Sequence, residues 1–139
     1  MLSKKVYIAA DGFVAFMDRA HGKHAQASAF FRYFAQEKYQ LYTTIVSVNE
    51  TYTTVYNTIS PSLARDYLRA LALSSINVSY PETSDLKSAI RIIETSNSVD
   101  LTFSKALMSV MCNKKSIPQI MTYEFLHALF GLQVFYLPV

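Results

Sequence analysis

Val6-Tyr7-Ile8-Ala9-Ala10-Asp11-Gly12-Phe13, VYIAADGF, reads as a buried strand running through a turn into a helix. Val6, Tyr7 and Ile8 are β-branched or aromatic, and Phe13, Phe16 and Met17 then recur at helical spacing. Asp11 is read as the N-cap of that helix, because a short acidic side chain accepts from the free first-turn N–H groups. Two alanines stand where the strand ends, the place where α/β proteins put ligands and catalytic groups. The only acid of the loop comes third.

The same alternation continues along the chain. Gly22 breaks the first helix within RAHGKH, and a second helix follows from about His24 to Glu37 with Ala27, Phe30, Phe31 and Phe34 on one face. QLYTT (40–44) is a strand and Val46 to Ile59 a helix. Ser60-Pro61 starts the next helix as N-cap and first-turn proline. INVSY (76–80) is a strand closed by Pro81, TSDLKSAIRIIETSN (83–97) an amphipathic helix, and LTFSKALMSVMCNKK (101–115) a helix with Asp100 read as its N-cap. IPQIMTY (117–123) is a strand, EFLHALFG (124–131) a short helix, and LQVFYL (132–137) a closing strand. Short apolar strands separated by helices, without tandem hairpins, predict a mainly parallel five-stranded sheet with about seven helices on its two faces, an α/β/α three-layer sandwich.

The 139 residues suit one domain spanning 1–139. The chain is 51% hydrophobic, with ten tyrosines and nine phenylalanines for a dense core, and only three glycines and four prolines, which argues against long linkers. No apolar run of signal-peptide or membrane-spanning length is present, so a cytoplasmic protein without membrane contact is expected. The lone Cys112 has no internal disulfide partner, and its apolar setting predicts an inert thiol. A net charge of +3, with no basic cluster larger than Lys114-Lys115, permits a polyanionic partner without demanding one. His21 and His24 are read as flanking a turn, and His127 has no evident partner.

Taken together, these segments resemble a PIN domain of the small VapC kind, the toxin of VapBC-type toxin–antitoxin pairs. VYIAADGFVAFMDRAHGKHAQASAFF is similar to the family's first strand and helices, and LYTTIVSVNETYT to its second strand and the helix carrying a central glutamate. DLTFSKALMSVM is similar to the segment reading D-x-S-x-x-D-A, and IMTYEFLHALFGLQVFYLP to the last strand–helix–strand. The resemblance implies metal-assisted RNA hydrolysis, in which carboxylates at one sheet edge hold Mg²⁺ or Mn²⁺ and the metal activates water. Hard divalent ions require oxygen ligands, hence Asp and Glu.

Carried over by position, that acidic set is degenerate. Ala9 stands where the first acid belongs, Glu50 matches the central glutamate, Lys105 falls on the acid of D-x-S-x-x-D-A, and Glu124 falls on the last acid. Asp11 and Asp100 could restore oxygen ligands. A lysine ammonium about 6 Å from a divalent ion, at an effective dielectric of about 20, repels it by roughly 5 kcal/mol. The expected arrangement has Lys105 among Glu50, Asp11 and Glu124, neutralising them without a metal. Taken alone, Asp11 and Asp100 are also explained as N-caps, Glu124 by a helix dipole, and Glu50 as a surface residue.

The resemblance therefore implies a PIN-fold protein with catalysis weakened or lost and a binding role kept, toward a second copy, an antitoxin-like protein or RNA. The alternative is an active Mg²⁺- or Mn²⁺-dependent endoribonuclease toxin using Asp11, Glu50, Asp100 and Glu124. Homodimerisation through aromatic-rich helices such as NETYTTVYNTI (49–59) is expected.

Overall fold

The computed structural model describes residues 3–96, 101–124 and 131–137. Its elements run β1 (Lys5–Ile8), α1 (Ala10–Met17), α2 (His24–Gln36), β2 (Gln40–Thr44), α3 (Ile45–Thr58), α4 (Pro61–Leu73), β3 (Asn77–Ser79), α5 (Thr83–Thr95), α6 (Phe103–Lys114), β4 (Gln119–Met121) and β5 (Gln133–Val134). The expected short helix over 124–131 falls mainly on 125–130, outside the described residues.

All four strand pairings are parallel, in the order β3-β2-β1-β4-β5. The expected mainly parallel five-stranded sheet is thus what the chain forms. β1 lies in the middle and places side chains alternately on the two faces. Val6 and Ile8 pack with Phe13, Phe30 and Phe34 of α1 and α2. Tyr7 packs on the opposite side with Met108 and Cys112 of α6. Helices thus cover both faces, as an all-parallel sheet requires. Burial pushes the Cys112 thiol up to about 12, so it stays protonated and inert.

Phe34 anchors the first of these cores. Its ring centroid lies 4.7 Å from Phe135 and 5.2 Å from Tyr39, and Phe30 meets Phe135 edge-on at 5.2 Å. Such contacts add about 0.5–1.5 kcal/mol each beyond area burial. No helix among the described residues is long and apolar enough to cross a membrane.

Two helix starts differ from expectation. Ala9, which has no capping side chain, is the N-cap of α1, and Asp11 lies inside the first turn. At α6 the N-cap is Thr102, whose hydroxyl accepts from the Lys105 N–H, while Asp100 lies outside the described residues. Thr102 offers the same cap chemistry closer to the helix, and Asp11 has a stronger use for its oxygens, described below. Ser60 caps α4 as expected, accepting from the Leu63 N–H with Pro61 in the first turn.

Candidate functional site

The strand order reverses direction around β1 and β4: the chain leaves β1 toward β2 on one side, and β4 continues to β5 on the other. Crevices form at the carboxyl ends of the strands at such a switch point. A cleft of about 340 Å³ opens there, lined by Ala9 and Asp11 after β1, Glu50 on α3, Lys105 on α6, and Thr122 and Glu124 after β4. Ala9, Asp11, Glu50, Lys105 and Glu124, singled out from four separate stretches of sequence, therefore meet in one place. Asp100 lies outside the described residues.

The first turn of α1 is pressed against the end of β4. The Ala9 N–H donates to the Met121 carbonyl at 3.2 Å, and a Cβ at position 12 would sit 3.0 Å from that same oxygen, so Gly12 permits the approach. This brings Asp11 to the residues following β4. The Thr122 hydroxyl lies 3.0 and 2.9 Å from its two carboxylate oxygens, and the Tyr123 N–H donates at 2.6 Å. Burial nevertheless raises the Asp11 carboxyl above the ordinary carboxylate range, outweighing the Tyr123 and Thr122 hydrogen bonds, and the nearby charge of Glu124 adds to it.

Glu50 is positioned by α3, whose start is fixed from below. Thr44 caps the helix by accepting from the Ser47 N–H at 3.3 Å. The buried Tyr7 hydroxyl ties both side chains together, 2.9 Å from the Thr44 hydroxyl and 2.6 Å from that of Ser47. One turn above, the Ser104 hydroxyl of α6 donates to the Glu50 carboxylate at 2.6 Å.

Lys105, also on α6, pairs with Glu124. Its Nζ lies 3.4 Å from Glu124 Oε2, with the lysine side chain 21% and the glutamate 60% exposed. The ammonium thus engages one of the three acids expected around it. Ser104 serves Glu50, and Thr122 with Tyr123 serves Asp11. Sequence reading missed these three partners and Ser47. Hydroxyl side chains carry no charge signal, and Asp11 is 111 positions from Thr122.

The donor set can be tested against a divalent ion. Each acid in the described cleft already faces a donor from this chain, a methyl group stands at Ala9, and the one side-chain cation among the described lining residues rests on Glu124. Among the described residues, no three His, Cys, Asp or Glu side chains come together as a metal-holding group. Mg²⁺ or Mn²⁺ does not fit these residues. A bound ion would have to displace the Lys105 ammonium from Glu124, and Ala9 offers it no oxygen.

A parallel five-stranded sheet in the order β3-β2-β1-β4-β5, sandwiched by helices and opening a carboxylate-lined cleft at its switch point, is the PIN-like fold. The solved structure of Mycobacterium tuberculosis VapC20, a sarcin–ricin loop cleaving toxin, is similar to it with a TM-score of 0.77. It is 15% identical, and the match covers 86% of this chain and 89% of that one. No family model and no curated protein matches the sequence.

Proposed function

We propose that this chain is a PIN-fold binding module whose acid cleft is closed from within and whose metal-dependent nuclease chemistry is lost. One observation carries the reading: every acid described in the cleft is engaged by a hydroxyl, backbone or ammonium donor of the protein itself. The cleft also disfavours RNA. With Asp11, Glu50 and Glu124 ionised, three negative charges face one positive charge, and a phosphate entering there is repelled.

Binding is better served by a second cleft, of about 580 Å³, between α1, α2 and α4. Phe13, Phe16, Met17, Phe31, Tyr67 and Leu71 form its walls, and Asp66 lies among its few polar groups. A groove of this composition suits the apolar face of a partner helix, as an antitoxin-like protein would supply, while Asp66 at its edge is already paired with Arg69 at 2.7 Å. Homodimerisation and RNA binding are the competing uses of the retained surface.

Incubation with a mixed RNA pool, with and without Mg²⁺ or Mn²⁺, tests the loss of catalysis. No metal-dependent cleavage is expected. Cleavage that requires the metal would instead establish the active endoribonuclease, with Asp100 joining Asp11, Glu50 and Glu124.

A further inference from the structure

Resting on the closed-cleft reading, we propose that Asp11 is a positioning residue: through the Thr122 hydroxyl it sets the turn that presents Glu124 to Lys105. Glu124 is 60% exposed, and Lys105 is the cation that meets it. A glutamate so open to water holds one direction only if its backbone is held. Two successive N–H groups supply that hold. The Tyr123 N–H donates to Asp11 at 2.6 Å, and the Glu124 N–H donates to the Thr122 hydroxyl at 3.2 Å.

The Thr122 hydroxyl is the joint of this relay. It has one proton, directed to the Asp11 carboxylate, and lone pairs left to accept from Glu124. A carboxylate at position 11 offers two oxygens, enough to accept from a side chain and a backbone donor together, which a serine hydroxyl would do less well. Gly12 and the Ala9–Met121 hydrogen bond bring the first turn of α1 close enough for the reach. Asp11 thereby controls a charge pair that it does not touch.

Competitive amine labelling of the full chain with acetic anhydride, read peptide by peptide by mass spectrometry, tests the relay. Lys114 and Lys4, paired elsewhere, serve as internal references. Glu124→Gln should raise Lys105 labelling roughly two- to fivefold, the factor expected for a part-exposed ion pair. Thr122→Val and Asp11→Ala should raise it in the same range although neither removes a charge from the pair, and Thr122→Ser should restore the native rate. Either of the first two variants is sufficient if the other does not fold. Native labelling in both, with Glu124→Gln still raised, overturns the relay and leaves the closed cleft standing. A rise shared by Lys114 and Lys4 also overturns it, because general loosening then explains the result. An unchanged rate in Glu124→Gln removes the ion pair itself, and the closed-cleft reading with it.

Discussion

Helix α1 borders two clefts of opposite character. Its first turn lines the acid cleft at the switch point, and Phe13, Phe16 and Met17 further along line the apolar cleft facing α2 and α4. In the first, polar groups already have partners within the chain, so an incoming ligand must break hydrogen bonds before making its own. In the second, Phe16, Met17, Phe31 and Leu71 leave hydrocarbon in contact with water, and any apolar surface that covers them releases that water at a gain of about 25 cal/mol per Å². On the proposed reading, the same fold carries one site that resists ligands and one that invites them. Family resemblance directs attention to the first, and physical chemistry to the second.

The largest expected effect concerns the foundation of the apolar cleft. Phe34 lines it and is also fully buried among Phe31, Tyr39 and Phe135. Phe34→Ala should cost about 3–5 kcal/mol in urea denaturation, from lost transfer energy and the cavity left behind. A cost below about 1 kcal/mol would mean that this wall is loosely packed and not a preformed surface.

Two ion pairs on α6 sharpen the contrast between a structural and an exposed charge. Lys114 pairs at 3.1 Å with Asp85, only 6% exposed, whose carboxylate also accepts from the Glu82 N–H in a capping box at the start of α5. Asp85→Ala should cost about 2 kcal/mol through loss of both the cap and the buried partner. Lys105→Ala should cost less, about 1 kcal/mol at most, because Glu124 is open to water and tolerates being left alone. Equal costs measured by denaturation would place the Lys105 pair in a drier setting than the cleft provides.

The smallest effect is in the acid limb of stability, where two aspartates pull in opposite directions. The Glu82 N–H, ahead of Lys114, holds the Asp85 carboxyl below its usual range. Its contribution is therefore complete above an unfolded value of about 3.9 and is lost as pH falls through the lower folded value. Burial raises Asp11, so between about 3.9 and its higher folded value the folded state binds the proton more tightly than the unfolded chain. Acidification through that window favours the fold. Denaturation midpoints followed from pH 7 to pH 3 should show Asp11→Asn removing the gain just above pH 4 and Asp85→Asn removing the loss below it.

Much of this architecture was legible in the sequence because its signals are local. Apolar runs such as VYI marked buried parallel strands, and Ser60-Pro61 marked a helix start. The strands proved shorter than their apolar runs, β4 being Gln119–Met121 within IPQIMTY, because pairing ends where the neighbouring strand ends. Placement of Ala9, Asp11, Glu50, Lys105 and Glu124 along one cleft was legible only through resemblance to a whole family, since nothing local joins residues so far apart. The hydroxyl partners were not legible. Asp11 reads as a cap because cap chemistry is local, whereas the donors that engage it at Thr122 and Tyr123 come from the far side of the chain.

The central claim is that Lys105 and the internal hydrogen bonds occupy the place of a divalent ion. Calorimetric titration of Mn²⁺ into the native chain and into the Ala9→Asp/Lys105→Asp variant tests it most directly. The account predicts no binding heat at the native cleft and measurable, saturable binding once two carboxylates replace the methyl group and the ammonium. Tight, stoichiometric Mn²⁺ binding by the native chain, lost in Glu50→Gln, would contradict it.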